Sequence, residues 1–429
     1  MKKVNIISLG CNKNLVDSET IAGILASEGF LLISKPQNAD IVILNTCAFI
    51  DSARSEAYSN IENLLSNKPE HQKLVLCGCL PQREKSTLFK KYPQIDAILG
   101  SSDFKNISDI INSLYTSKKT IMHVSQPRFI ISSQPKLFST PKSYAYIKIS
   151  EGCNNHCNYC IIPKLRGPFR SRRMEYIIND VKNAISTGRK EVILVGQDTT
   201  LYGIDIYKKQ VLHILLENIS KIQGLKWIRL LYTHPAHFTD DLISTIAENE
   251  KICKYIDIPI QHTVDSILEK MGRPSSKIIF NCIEKLQRKI HNITLRTTIM
   301  VGFPGETEEF FQKLLKDINN LSFHWLGAFM FSKVRGTKAY KLTDSLPSTT
   351  KQARYNELME TQQKITLNKN MEWLAKKIYA LADTSNFGHS EFQAPEIDGR
   401  IIFTANQNTG SFKKHQIRQV KNVYDLKTA

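Results

Sequence analysis

The segment that decides the fold is KISEGCNNHCNYC at residues 148–160, in which three cysteines stand at the spacing CxxxCxxC. The apolar run YAYIKIS at 144–150 leads into this segment and predicts a β-strand that ends just before Cys153. Cys153, Cys157 and Cys160 fall within eight residues. Three thiolates held so closely can bind three corners of an iron–sulfur cubane and leave one iron open.

A structural zinc site is the alternative, but it usually takes four ligands, often from two CxxC pairs. The chain has no second CxxC pair, and His156 lies inside the loop, where its reach is poor. We therefore interpret Cys153, Cys157 and Cys160 as catalytic ligands of a 4Fe–4S cluster. The open iron of such a cluster can bind S-adenosylmethionine and pass an electron to its sulfonium, which predicts a radical enzyme.

Outward from this loop, residues 143–333 alternate apolar strand runs with amphipathic helical stretches. Six βα units in about 190 residues predict a partial (β/α)6 barrel, open on one side, in an α/β protein. Ligands of such folds lie at the carboxyl ends of the strands. The predicted strands are 144–150, 191–196, 227–232, 255–260, 294–302 and 325–331.

The first part of the chain, residues 1–125, also alternates strands with helices and predicts a parallel-sheet domain. Cys11, Cys47 and Cys79 each end one predicted strand, at 4–11, 39–47 and 73–79, with a weaker strand at 96–100. Parallel strands place these ends at one edge, where helix N-termini favour thiolates. We expect a second metal site there and assign Cys77 to the core. The alternative is that all four are buried strand cysteines.

The motifs now permit a family comparison. The CxxxCxxC loop, its strand and the six βα units resemble the radical S-adenosylmethionine superfamily. SLGCNKNLVDSE (8–19), LNTCAFI (44–50) and CGCLPQR (77–83) resemble the N-terminal domain of the methylthiotransferases. The resemblance implies that Cys11, Cys47 and Cys79 bind an auxiliary 4Fe–4S cluster that takes part in sulfur insertion. It also implies that one S-adenosylmethionine methylates sulfur held there, while a second is cleaved at the loop.

Two bacterial branches of this family matter. GCNKNLVDSE (10–19), IIPKLRGPFRSR (161–172), GQDTTLYG (196–203) and APEIDG (394–399) resemble the RimO-type branch. That branch modifies the β-carbon of an aspartate in the small-subunit ribosomal protein uS12. The alternative branch modifies a tRNA adenosine next to the anticodon and would be expected to carry Asn in place of Asp198. A distant alternative is a non-catalytic iron–sulfur or zinc protein that binds RNA.

Polar residues and glycines in or after the predicted barrel strands are candidate contacts to S-adenosylmethionine. The alternative is that they tie loops together or shape a turn. The candidates are Gln197, Asp198, Arg229, Asp257, Arg296 and Gly302. Four arginines after the cysteine loop could bind a cofactor carboxylate or an acidic substrate, or could form a solvated surface. They are Arg166, Arg170, Arg172 and Arg173.

The remaining segments set the domain limits. Residues 126–142 carry three prolines among serines and lysines and predict a linker, which leaves 143–370 for the barrel. Residues 371–429 show short strands and turns, which predict a small β-barrel. The resemblance implies that this tail is a TRAM-like domain that docks the macromolecular substrate.

The formal net charge of +18 indicates a polyanionic partner or a lysine-rich surface. With the resemblance, it implies uS12 or the ribosome as partner, with possible ribosomal RNA contact through Lys413, Lys414, Arg418 and Lys421. We expect no membrane segment, a cytoplasmic location, and a reductant such as flavodoxin or ferredoxin. The chain has no GxxxxGK[ST] loop and no GxSxG elbow, so nucleotide hydrolysis and serine catalysis have no support.

Overall fold

The computed structural model describes residues 1–116 and 119–429, which form two compact units. The first unit contains Met1–Ser139, Ser150–Asn155 and Cys160–Tyr176. The second contains Thr140–Ile149, His156–Tyr159 and Ile177–Ala429. None of the helices in the described part of the chain combines the length and apolar character needed to span a bilayer.

The first unit is built on a six-stranded parallel sheet in the order β2-β1-β3-β4-β5-β6. Its strands are β1 (Lys3–Ser8), β2 (Leu31–Leu32), β3 (Ile41–Thr46), β4 (Lys73–Gly78), β5 (Ala97–Leu99) and β6 (Ile121–His123). Its helices are α1 (Asn12–Ser27), α2 (Asp51–Ser66), α3 (Cys79–Glu84), α4 (Thr87–Lys91), α5 (Ile107–Thr116) and α6 (Ile162–Arg166). All six residues of β3 are buried, as expected for a central parallel strand covered on both faces. The predicted parallel-sheet domain is confirmed.

Strands β2 and β6 were not predicted, because they have only two and three residues and no fully buried position. A further short antiparallel pair, β8 (Ser150–Glu151) with β9 (Arg170–Ser171), also belongs to the first unit. This pair ties the start of the cysteine loop to the segment that follows it.

The predicted linker at 126–142 has no regular secondary structure in the described chain, but its first part packs on α1. The ammonium of Lys136 lies 3.2 Å from the carboxylate of Glu19, and the Ser139 amide donates to the same carboxylate at 2.8 Å. At Gly23 an added Cβ would lie 2.2 Å from the carbonyl oxygen of Pro135. Residues 126–139 are therefore part of the first unit rather than a free connection.

The second unit contains a six-stranded parallel sheet whose neighbours follow chain order, with β7 and β14 at its two edges. Its strands are β7 (Tyr144–Lys148), β10 (Glu191–Val195), β11 (Trp227–Leu230), β12 (Ile252–Asp257), β13 (Thr294–Val301) and β14 (Trp325–Met330). Its helices are α7 (Met174–Ser186), α8 (Leu212–Ser220), α9 (Asp240–Glu248), α10 (Asp265–Met271), α11 (Ser276–Lys289), α12 (Glu308–Leu321) and α13 (Ser348–Met371). An open parallel sheet in this strand order is the predicted partial barrel.

The helices begin where the sequence offers caps and bury one face. The hydroxyls of Thr239 and Thr307 accept the amide protons three residues on, at the starts of α9 and α12. Helix α12 then buries Phe311, Leu314 and Ile318, which recur at helical spacing.

The tail of the second unit folds as a closed five-stranded barrel, which confirms the predicted small β-barrel. Its strands are β15 (Lys377–Ala382), β16 (Phe387–Ser390), β17 (Ile401–Ile402), β18 (Phe412–Lys421) and β19 (Asp425–Thr428). Ile378, Ile401, Ile417 and Leu426 form its core with neighbouring apolar residues.

One segment of this barrel, residues 389–398, packs on the six-stranded sheet. The imidazole of His389 lies 2.6 Å from the carboxylate of Glu191, the first residue of β10. The indole N–H of Trp325, the first residue of β14, donates to the Phe392 carbonyl at 2.7 Å. The Tyr255 hydroxyl donates to Asp398 at 2.7 Å. We call residues 389–398 the floor segment, because they pack on the sheet while the rest of the tail forms a separate barrel.

Candidate functional site

The first candidate site lies at the carboxyl edge of the first unit's sheet, where β1, β3 and β4 are neighbours. Cys11 and Cys79 open α1 and α3, and Cys47 directly follows β3. We call Cys11, Cys47 and Cys79 the strand-end cysteines. An added Cβ at Gly10 would lie 2.4 Å from Cβ and 3.1 Å from Sγ of Cys47. The strand ends therefore meet, as the sequence predicts for a parallel sheet.

The thiols of this site influence one another electrostatically. Burial, together with the charges of the neighbouring Cys79 and Cys11, raises the pKa of Cys47 to about 12, because thiolates repel. Burial would also raise the pKa of Cys11, but Lys13, Arg166 and two backbone amides hold it below its usual value. Cys77 is buried inside β4, in agreement with its predicted core position. Three thiols that influence one another's pKa suit a metal that takes them as thiolates.

Arg166 is the buried cation of this site, a role that the sequence did not reveal. Its guanidinium donates to Asp17 at 2.6 Å and to Glu151 at 3.3 Å, and it also contacts the side chain of Asn14. Burial raises the pKa of Cys79, and Arg166 opposes this rise through its charge and a hydrogen bond. Arg166 therefore supports the strand-end cysteines, and the surface role considered for it is wrong.

The second candidate site is the cysteine loop. We call Cys153, Cys157 and Cys160 the loop cysteines, and all three are partly buried. In the first unit, the Cys153 amide donates to the Gly167 carbonyl at 3.2 Å. Backbone amides of Asn155 and Ile162 donate to the sulfurs of Cys153 and Cys160, each at 3.4 Å. Amide donors of this kind stabilise thiolate sulfur.

Cys157 belongs to the second unit, where its sulfur accepts from the guanidinium of Arg273 at 3.7 Å. Arg273 lies 113 residues after Cys160, and no spacing in the sequence connects the two. Only the packing of the loop on the end of α10 identifies Arg273 as part of this site.

Polar side chains gather at the carboxyl ends of β10, β11 and β12. The carboxylate of Asp198 lies 2.8 Å from Nδ1 of His237 and accepts from the Thr200 hydroxyl at 2.6 Å. Burial would raise the pKa of Asp198, but His237, His234 and Thr200 hold it below its usual value. His234 stacks on His237 with ring centroids 4.3 Å apart. The histidines were missed, although their i, i+3 spacing after a predicted strand was visible.

Asp257 links the next strands. Its carboxylate accepts from the Tyr232 amide and from the guanidinium of Arg296, both at 2.9 Å. Arg296 also lies 3.4 Å from Asp398 of the floor segment. Gln197 lies half-buried in the loop after β10. The structure therefore places Asp198 with His237, and Asp257 with Arg296, along the carboxyl side of one sheet.

Two predicted cofactor contacts have other partners. Arg229 is fully buried, pairs with Glu191 at 2.7 Å and donates to the carbonyls of Ser390 and Glu391. Because Glu191 begins its strand, the guanidinium lies toward the amino end of the sheet, and this corrects the position expected for Arg229. The Gly302 amide donates to the Glu306 carboxylate at 3.0 Å, and an added Cβ would lie 2.5 Å from Lys351. Gly302 thus shapes a tight turn.

The other loop arginines also differ from a solvated surface. Arg172 is fully buried and donates to the carbonyls of Ile131 and Ser132. Arg170 donates to the carbonyl of Arg166 at 2.9 Å. Arg173 alone of the four is largely exposed, which fits the alternative of a solvated surface. Cys253 and Cys282 are buried in the core.

Two protein-family models and several known proteins are similar to this chain. The model of the uncharacterized protein family UPF0004 matches residues 3–100, and that of the radical SAM superfamily matches residues 147–318. The ribosomal protein uS12 methylthiotransferase RimO of Desulforamulus reducens is 41% identical over 99% of both chains. That of Aquifex aeolicus is 41% identical over 99% of this chain and 96% of its own. The chain belongs to the RimO family.

Solved structures support the RimO-type fold at much lower identity. The radical S-adenosylmethionine methyltransferase TsrM of Kitasatospora setae is 13% identical, with a TM-score of 0.60 over 79% of this chain and 77% of its own. The cobalamin-dependent S-adenosylmethionine radical enzyme OxsB is 12% identical, with a TM-score of 0.53 over 85% and 56%. At these identities the likeness concerns the fold alone.

The residues present fit the cofactors of a RimO-type radical enzyme. Each cysteine set offers three thiols, and thiolates are the ligands that iron–sulfur clusters take. The carboxyl edge of the second unit offers ionised carboxylates and a guanidinium for a zwitterionic cofactor.

Proposed function

We propose that this chain is a methylthiotransferase that adds a methylthio group to the β-carbon of an aspartate in ribosomal protein uS12, by radical S-adenosylmethionine chemistry. The observation that carries the proposal is the relation to RimO enzymes at 40–41% identity over 99% of the chain. A second reason is the meeting of the strand-end cysteines, because sulfur insertion in this proposal requires a site apart from the cysteine loop.

The two cysteine sets have separate proposed roles. The loop cysteines would hold a 4Fe–4S cluster with one open iron, and the strand-end cysteines would hold the auxiliary 4Fe–4S cluster. When bound, the first cluster would supply the electron for cleavage of S-adenosylmethionine, and the second would take part in sulfur insertion. The chain's own contribution is the donor set, the amides that donate to Cys153 and Cys160, and the buried Arg166 beside Cys79.

The proposed contacts to S-adenosylmethionine are Gln197, Asp198, Asp257, Arg296 and Gly302. Asp198 is held ionised by His237 and Thr200, which suits it to accept from the cofactor's ammonium. Arg296 can donate to a carboxylate while Asp257 fixes its direction. Gly302 contributes by the shape of its turn. Arg229 is left out because its guanidinium is already engaged at the other end of the sheet.

The proposed partners are uS12, free or in the assembled ribosome, and ribosomal RNA near it. The outer face of the C-terminal barrel carries Tyr379, which is 44% exposed and stacks on Phe412 with centroids 4.8 Å apart. The ammonium of Lys414 lies 4.9 Å above the Tyr379 ring. Aromatic rings beside lysines suit contact with nucleic acid. A cytoplasmic location and a flavodoxin or ferredoxin as electron donor complete the proposal.

The test is a reconstitution of the whole chain with iron and sulfide under anaerobic conditions. Dithionite, S-adenosylmethionine and either uS12, intact small subunits or tRNA are added, and each product is weighed by mass spectrometry. One methylthio group on a uS12 aspartate, together with 5′-deoxyadenosine, is the expected result. Methylthiolated tRNA with unmodified uS12 would replace the substrate assignment. A protein that carries both clusters but forms no 5′-deoxyadenosine would contradict radical chemistry.

A further inference from the structure

The middle of the cysteine loop is docked on the end of α10 within the second unit. The Asn158 amide donates to the Met271 carbonyl at 2.8 Å, and its side-chain amide donates to the Lys270 carbonyl at 2.9 Å. Gly272 ends the helix in the left-handed conformation, and an added Cβ there would lie 2.5 Å from the His156 carbonyl oxygen. The last turn of α10 therefore fixes the loop residues on both sides of Cys157.

This arrangement places negative charge beside Cys157. The last carbonyls of a helix carry the negative end of its dipole, and a metal-bound cysteine is a thiolate. The carboxylate of Asp198 adds a further negative charge that acts on the same arginine. Without a cation, this surrounding would disfavour any additional electron on a cluster bound to Cys157.

Arg273 is that cation, and its position is fixed from three directions. Its backbone amide donates to the Leu268 carbonyl at 2.8 Å, and one guanidinium nitrogen donates to the Pro259 carbonyl at 2.5 Å. The other terminal nitrogen points at Cys157 Sγ, 3.7 Å away. Arg273 Nε is buried and has no hydrogen-bond partner among the described residues. A guanidinium held by its backbone and by Pro259 is preorganised to donate to the sulfur.

We propose that Arg273 is a positioning residue of the loop cluster: its N–H donates to the Cys157 thiolate and makes the cluster easier to reduce. The inference rests on the proposed function only in assuming that the loop cysteines hold a cluster. The step concerned is the gain of one electron from an external reductant such as dithionite. No bond forms or breaks in it, and the added negative charge is what the guanidinium stabilises.

The experiment is a redox titration of the reconstituted whole chain, followed by electron paramagnetic resonance with and without S-adenosylmethionine. The signal that is lost in Cys157→Ala belongs to the loop cluster, which separates it from the signal of the auxiliary cluster. Arg273→Gln removes the charge, Arg273→Lys keeps it, and Arg288→Gln removes an exposed arginine of α11 as the matched control.

At the potential where the parent loop cluster is half reduced, we expect the ratio of reduced to oxidised loop cluster to be about tenfold lower in Arg273→Gln, equivalent to ~59 mV for a one-electron couple. Arg273→Lys should fall between it and the parent, and Arg288→Gln should match the parent. Loss of loop iron from Arg273→Gln with retention in Arg273→Lys also supports the proposal, because Lys keeps the positive charge that Gln removes.

Full iron content with an unchanged potential in Arg273→Gln would overturn the inference. Loss of iron from both Arg273 variants would overturn it too, because packing alone would then explain Arg273. A parent chain that binds no iron at the loop cysteines would contradict the proposed function, and with it this inference. The iron content of the parent therefore separates the two failures.

Discussion

The strand-end cysteines and the loop cysteines each offer three thiols, but the chain brings the members of each set together in a different way. The loop cysteines are eight residues of continuous chain, and backbone amides of the same loop donate to two of the sulfurs. The strand-end cysteines span 69 residues and meet only because β1, β3 and β4 are neighbours in one parallel sheet. A local site can thus be deduced from spacing, whereas the other depends on strand order.

The largest expected effect distinguishes the two cysteine sets by the reactions that are lost when one cysteine of each set is replaced. Cys157→Ala should abolish both 5′-deoxyadenosine formation and methylthiolation, since the loop cluster would lose a ligand. Cys47→Ala should abolish methylthiolation but leave 5′-deoxyadenosine formation in place. Iron analysis should give about half the parent content in each variant, in line with the loss of one of two clusters.

The control for this pair is Cys282→Ala, a buried cysteine outside both sets. It should keep full iron and both reactions. If Cys47→Ala methylthiolated the substrate at the parent rate, the strand-end cysteines would have no role in the mechanism. The proposed difference between the two cysteine sets would then be wrong.

The buried cation of the first unit gives the next effect. Arg166→Met would leave Asp17 and Glu151 buried without their partner, which should cost about 3–5 kcal/mol of unfolding free energy. Urea unfolding followed by circular dichroism measures this cost, and the exposed Arg128→Met is the control. The triple variant that adds Asp17→Asn and Glu151→Gln should recover part of the loss. A triple variant no more stable than Arg166→Met would argue against charge as the cause.

The contacts of His389 in the floor segment give an effect on stability that depends on pH. Burial would lower the pKa of His389, but the carboxylates of Asp383 and Glu191 raise it to about 9. A raised pKa means that the stabilisation is fully present below the unfolded value near 6.5 and is lost as pH rises through about 9. His389→Gln should therefore be less stable by on the order of 3 kcal/mol at pH 6.

The difference between His389→Gln and the parent should shrink as pH approaches 9.5, measured by urea unfolding at each pH. The exposed His291→Gln is the matched control and should follow the parent. A difference that stays constant from pH 6 to 9.5 would mean that packing, and not charge, dominates at His389.

The glycines that precede Cys11 and Cys153 test the same difference between the two cysteine sets, with a smaller expected effect. Gly10 and Gly152 precede Cys11 and Cys153 with φ of +88° and +77°. An added Cβ would lie 2.4 Å from the Cys47 side chain at Gly10, and 2.1 Å from the Pro168 carbonyl oxygen at Gly152. Each Gly→Ala change should cost about 1–3 kcal/mol and deplete only its own cluster. We expect each variant to lose the iron and the spectroscopic signal of one cluster only. Loss of both clusters from either variant would contradict this prediction.

The smallest expected effect concerns the outer face of the C-terminal barrel. Lys414→Ala should weaken association with small ribosomal subunits slightly and reduce the salt dependence of the binding constant by about one unit of slope. Sedimentation at several salt concentrations measures this slope, with Lys289→Ala of α11 as the exposed control. An unchanged slope would remove this face from the proposed RNA contact.

The sequence by itself determined the alternation of strands and helices, the loop cysteines and the edge position of the strand-end cysteines. These follow from local spacing and from the rule that parallel strands end at one edge, so no distant contact had to be known. Tertiary structure alone decided which cations meet the thiols. Arg166 and Arg273 lie far along the chain from Cys79 and Cys157, and a buried charge is placed by the partners that offset its desolvation. The same reason explains Arg229, whose partner Glu191 lies on a neighbouring strand and whose other acceptors lie about 160 residues away in the floor segment.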